Sequence, residues 1–198
     1  MKKIVIYSIS LLLIFQSSLL SYSSNPKDFI EELVNDAITT LADKDLNKDQ
    51  KAIFIKKVAL ENVDINALGL YTLGELRKSA SEVNISSYQV SFEKYFLKSL
   101  TSRLTDYSSS KFEILSEDKK SANYTIVKTR VIPENGVPEI KIDWRVYTKN
   151  PDKPLIRDLI VEGLSLARTQ KEEFASILSS NNNDIKLLIK KLEEFVNN

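Results

Sequence analysis

Apolar residues recur along this chain with two different periods, and the change of period divides it. From Asn25 the spacing is helical: Phe29, Ile30, Leu33, Val34, Ala37, Ile38 and Leu41 fall on one face. Asn25 is placed as the N-cap of this helix, and Pro26 suits its first helical position. A second helix is predicted over about Lys48 to Glu61. Asp64 is placed to cap a short third one that ends near Gly74. A longer helix is expected from about Ser87 to Ser108, where Tyr88, Phe92, Tyr95, Phe96, Leu100, Leu104 and Tyr107 form a broad aromatic stripe.

From Lys111 the pattern alternates, as in a half-buried strand. Phe112 and Ile114, with Ser116 after them, suggest the first strand. Tyr124 to Ile132 is a second, in which Thr125, Val127, Thr129 and Val131 alternate with Lys128 and Arg130. The run Pro133-Glu134-Asn135-Gly136 is turn chemistry. Glu139 to Tyr147 alternates again, with Ile140, Ile142, Trp144 and Val146 on one face and Lys141, Asp143 and Arg145 on the other. After a turn over Asn150 to Pro154, Leu155 to Glu162 gives a fourth strand, with Leu155, Leu159 and Val161 assigned to one face. Short turns force antiparallel pairing.

Thr169 and Glu172 have capping-box spacing and are expected to open a helix carrying Phe174, Ile177 and Leu178. Asn181 to Asn183 reads as a linker to a last helix with Ile185, Leu188, Ile189, Leu192 and Phe195. The fold class is α+β: a small antiparallel sheet with one wet side, its apolar face covered by helices.

The first 23 residues carry a different pattern. Lys2 and Lys3 precede an uncharged run, Ile4 to Phe15, and then small polar residues including Ser21 and Ser23. That is the layout of a cleaved secretory leader. Its apolar core of about 12 residues falls short of the about 20 that span a bilayer. Residues 24–198 are then expected to form a single domain. Losing Lys2 and Lys3 takes the formal charge from +1 to −1. A near-neutral balance provides no electrostatic footprint for nucleic acid.

Composition narrows the chemistry. The chain has no cysteine and no histidine. It must fold without disulfides, and it lacks the commonest general base and metal ligand. Asp158 and Glu162, with Asp143 and Arg145 on the neighbouring strand, read as ion pairs on the wet face rather than as an acid–base pair. Ser165 has no histidine to activate it. Four scattered glycines exclude a phosphate-binding loop. No enzyme activity, metal or cofactor is expected. Alternation leaves open whether the apolar layer packs solid or encloses a ligand.

The run Asp158-Leu159-Ile160-Val161-Glu162-Gly163-Leu164-Ser165-Leu166 resembles the Asp-x-x-Val-Glu-Gly-Ile/Val-Ser-Leu motif of the MlaC family, the toluene-tolerance auxiliary components of ABC lipid transporters. Phe174, Ile177-Leu178 and Ile185 to Leu192 follow in the family's order. Val63-Asp64, Leu73-Gly74 and Phe92 with Phe96 precede it in the family's order. The chain departs at Arg77, near the place of a family tryptophan, and at Pro154-Leu155-Ile156-Arg157, where the family tends to have Trp-x-Val-Tyr.

The resemblance implies a periplasmic phospholipid carrier with a hydrophobic pocket between sheet and helices. It further implies two partners: an inner-membrane ABC transporter with its substrate-binding ring protein, and an outer-membrane lipoprotein complex. The residues expected to line the pocket are Phe92, Tyr95, Phe96, Leu100, Val127, Val131, Ile140, Ile142, Trp144, Val146, Leu159, Val161, Leu164 and Leu166. A periplasmic chaperone or carrier for lipoproteins or peptides would use the same concavity and is the alternative.

Overall fold

The helices begin where short polar side chains close their first turns. The computed structural model describes residues 22–105, 110–133 and 138–198. The expected leader up to residue 21, Tyr107 and residues 134–137, where a turn is expected, lie outside them.

Helix α1 spans Pro26–Ala42, with Asn25 Oδ1 accepting from the backbone N–H groups of Lys27 and Asp28. Helix α2, Lys48–Asn62, opens on a capping box made by Asn47 and Gln50. Asp64 caps α3, Ile65–Thr72, as expected, and a 3-10 turn over Gly74–Lys78 follows. Helix α4, Glu82–Leu104, starts at Ser81, about a turn and a half before the predicted Ser87. The Ser81 hydroxyl accepts from Asn84 N, and the polar first turn hides this start from an apolar count.

The strands are β1 (Ser110–Ser121), β2 (Tyr124–Pro133), β3 (Ile140–Tyr147), β4 (Leu155–Val161) and β5 (Leu164–Ser165). They form one antiparallel sheet in chain order. Strand β5 is too short for any periodicity to announce it.

One face assignment is overturned. Arg145 opposes Asp158 but Val146 opposes Ile156, so β4 holds an extra residue at Arg157. Such a bulge reverses the parity of everything before it. Ile156, not Leu155, therefore shares the apolar face with Leu159 and Val161. It is 5 % exposed, while Leu155 opposes Tyr147 on the other side.

The start of α5, Leu166–Ser179, also differs from expectation. Its N-cap is Ser165, whose Oγ accepts from Arg168 N. Thr169 sits within the first turns and donates its hydroxyl to Ser165 O, while Glu172 pairs with Arg168. Helix α6 runs Ile185–Asn197 from its cap Asp184.

Two apolar clusters hold these elements together. In one, α1 lays Phe29, Ile30, Leu33 and Val34 on Val127, Val146 and Ile156 of the sheet. In the other, α3 to α6 enclose Tyr88, Phe92, Phe174, Leu178 and Leu188. Full burial of side chains of this size stabilises by about 1.5–3 kcal/mol each. Val63 packs against both clusters. Gly69 lets α3 approach α4: a Cβ there would lie 2.9 Å from Phe92 Cδ1.

Candidate functional site

The apolar face of the sheet is not uniformly closed. At one end α1 covers it completely: Val127, Thr129 and Val146 are 0 % exposed. Exposure then grows along β2, β3 and β4 toward the opposite end. On β2 it rises from Val127 to half-buried Val131. On β3 it rises from Val146 through half-buried Trp144 and Ile142 to Ile140 at 36 %. On β4 Ile156 is buried, and Leu159 and Val161 are half-buried. Beyond the hairpin, Leu164 is 69 % and Leu166 47 % exposed. The register ties these positions together, since Val131 opposes Ile140, Ile142 opposes Val161, and Val161 opposes Leu164.

One polar pair is set into this face. Trp144 Nε1 donates to Thr129 Oγ1 at 3.0 Å, and Thr129 Oγ1 donates to the Ile142 carbonyl at 2.8 Å. Sequence reading passed over Thr129; its place in the Thr125–Val131 alternation was the available signal. The pair satisfies the indole N–H without a ligand, so the face stays apolar to whatever lies on it.

The fourteen expected pocket residues fall into two groups. The ten of the sheet and hairpin share the graded face or its open edge, with Leu166 at the first position of α5. Phe92, Tyr95, Phe96 and Leu100 lie on α4, whose main neighbours are α6, α3 and α2 rather than the sheet. Phe92 is buried in the helical cluster, with Phe96 stacked on it and Tyr95 against Phe174 and Phe195. Tyr95, Phe96 and Leu100 are half-buried.

The Asp-to-Leu motif builds the lip of this face. Val161 and Leu164 are joined by Glu162 and Gly163, with φ of 49° and 82°. Two consecutive positive φ values are what a tight hairpin needs, and glycine meets that need without strain. Glu162 tolerates it because its carboxylate accepts from Lys141 N at 2.5 Å, while its own N–H donates to Lys141 O.

Asp158 is 5 % exposed. It accepts from Ser165 Oγ and from Ala167 N and pairs with Arg145. This carboxylate holds the start of α5 in place, where the helix dipole favours negative charge.

The polar side of the sheet carries two clefts. One, of about 380 Å³, is lined by Asp64, Tyr147, Lys149, Asn150, Lys153 and Leu155. The other, of about 250 Å³, lies between α3, Arg145, Asp158 and Ala167. Arg157 joins them. Its guanidinium pairs with Asp64 at 2.7 Å and stacks on Tyr147 at 3.4 Å. Asp143, Asp158 and Glu162 all lie away from the graded apolar face, whereas Glu117 of edge strand β1 stands opposite Val127 and is exposed. Among the described residues no cluster of acidic side chains is arranged to hold a metal.

A family model described as MlaC protein matches residues 31–194. A phospholipid-binding protein from Ralstonia solanacearum, solved in complex with a phospholipid, shares the fold. It superposes with a TM-score of 0.69 at 18 % identity, covering 84 % of this chain and 94 % of the other.

Proposed function

Because this chain belongs to the MlaC family, we propose that it is a periplasmic phospholipid carrier that takes acyl chains onto the graded apolar face of its sheet. In this reading it is exported by its N-terminal leader. It moves phospholipid between an inner-membrane ABC transporter complex, with its substrate-binding ring protein, and an outer-membrane lipoprotein complex, and so maintains the lipid asymmetry of the outer membrane. It acts by binding and release, without a catalytic residue.

The observation that carries the proposal is the exposure gradient from Val127 and Val146 to Ile140 and Leu164. A sheet sealed at one end and open at the other suits a long apolar ligand that enters from the open edge. Each methylene removed from water contributes about 0.8 kcal/mol. The solved relative with its bound phospholipid supports the lipid class.

Blocking the half-buried part of the face tests the proposal. Ile142→Trp and Val161→Trp place an indole where the acyl chain would lie, at positions with room to accept it. Val146 is unsuited to such a block: at 0 % exposed it has no space for a larger ring. Both variants are expected to fold with native circular dichroism and to lose most co-purifying phospholipid. Unchanged lipid content in the two folded variants would contradict the assignment.

A further inference from the structure

The smaller cleft on the polar side of the sheet is built largely of hydrogen-bond donors. It measures about 250 Å³ and is lined by Tyr71, Tyr124, Arg145 and Arg157, together with Asp158 and the apolar Ala67, Leu68 and Ala167. The Asp158 carboxylate is buried: its oxygens accept from Ser165 Oγ and Ala167 N and pair with Arg145. Arg145 uses only Nη1 on it, at 3.2 Å, and the arginine side chain is 39 % exposed. Arg157 uses Nε and Nη2 on Asp64 and stacks over Tyr147, which leaves Nη1. The hydroxyls of Tyr71 and Tyr124 donate to no group among the described residues. Burial raises the pKa of Tyr124, so its hydroxyl stays a donor at neutral pH.

Positive charge is in excess around these donors. Asp158 is matched by Arg145, Asp64 by Arg157, Glu172 by Arg168 and Glu75 by Lys78. Asp143, further along β3 on the same side as Arg145, stands opposite Lys128. Lys171, whose Nζ lies 5.1 Å from the Tyr71 ring centre, is left over. So is Arg77, which reaches only the Leu70 carbonyl.

We propose that the cleft formed by Tyr71, Tyr124, Arg145 and Arg157 binds the phosphate group of a small organic phosphate. A phosphate brings several acceptor oxygens to a lining that has donors to spare. The planar guanidinium suits those oxygens, and its ion pair to a buried carboxylate holds it in place before the ligand arrives. Pockets for drug-sized ligands run to about 300–1,000 Å³, so this cleft takes something smaller. It is separate from the graded apolar face, because Tyr124 and Arg145 alternate along their strands with Thr125 and Val146, which point to the other side. Soluble phosphate esters and the headgroup of phosphatidic acid carry the same group, and the test separates them.

Isothermal titration of the purified protein with glycerol phosphate is expected to show saturable binding that weakens as salt is raised, and titration with glycerol to show none. Tyr71→Phe with Tyr124→Phe keeps both rings and removes both donors, and should weaken binding about tenfold. Arg145→Lys, which keeps the charge beside Asp158 but loses the fork, should weaken it as well. The double variant is expected to keep native circular dichroism and its co-purifying phospholipid, so the outcome is independent of the carrier reading. Co-sedimentation with phosphatidylcholine vesicles containing phosphatidic acid, competed away by glycerol phosphate, would assign the site to a lipid headgroup. Binding of glycerol phosphate without sedimentation would assign it to a soluble ester. Absence of binding to both glycerol phosphate and the vesicles overturns the proposal, and so does unchanged binding in the folded double variant.

Discussion

Asp158 Oδ2 accepts the Ser165 hydroxyl at 2.6 Å, and that hydroxyl oxygen in turn accepts from Arg168 N. Through these bonds a buried carboxylate on β4 fixes both the two-residue hairpin and the first turn of α5. Asp158→Asn would lose the charge opposite Arg145 and present an amide N–H where an acceptor is required. It should lower stability by about 2–4 kcal/mol in urea titrations. Ser165→Ala removes the cap and should cost about 1 kcal/mol. The two losses should not add, because the second residue is part of what the first one holds.

Two glycines should respond to alanine for different reasons. At Gly69 the new methyl would meet Phe92 Cδ1 at 2.9 Å inside a stack of rings. Overpacking of about 1–3 kcal/mol should outweigh the gain of about 1 kcal/mol in helix propensity. Gly163 has open space around it but a φ of 82°. Alanine there should cost about 1–2 kcal/mol through backbone strain alone. Gly163→Asn should recover part of that loss in thermal melts, whereas Gly69→Asn should be worse than Gly69→Ala.

The two ends of the apolar face should separate stability from binding. Val127→Ala, at the sealed end, should destabilise by about 2 kcal/mol through lost burial and the cavity left behind. Leu164→Ser, at the open lip, should leave the urea midpoint within about 0.5 kcal/mol of the parent and still lower lipid content. Equal stability losses at the two positions would mean that the lip is packed rather than open.

Alkaline pH should unfold the protein through its tyrosines. Burial raises the hydroxyl pKa of Tyr88 from its ordinary 10.0, and it does the same for Tyr124. A raised folded pKa means that the unfolded chain gives up these protons first. The stability they contribute is therefore full below pH 10.0 and is lost as pH climbs above it. Ultraviolet titration of phenolate should show a late group of tyrosines whose ionisation coincides with loss of circular dichroism.

Much of this fold was legible because local chemistry and burial agree. Asn25, Asp64 and the alternations at Thr125–Val131 and Ile140–Val146 each state their element and their buried side. Reading failed where a single residue shifted the phase. The extra residue in β4 moved Leu155 to the polar face and put Ile156 in the core. The start of α5 was misread because Thr169 and Glu172 have the spacing of a capping box, while the true cap, Ser165, draws its meaning from Asp158 across the hairpin. The aromatic stripe of α4 was recognised, but periodicity names a buried side without naming its partner, and that partner is chiefly α6 and not the sheet. For the site, the strand residues could be gathered from alternation alone. The gradient among them could not, because it depends on how far α1 reaches across the sheet.

The central claim is most directly tested by mass spectrometry of lipids extracted from the protein purified natively from periplasm without detergent. The account predicts phospholipid at close to one molecule per chain, reduced in Val161→Trp. A folded, lipid-free protein, or one carrying peptide in place of phospholipid, would contradict it.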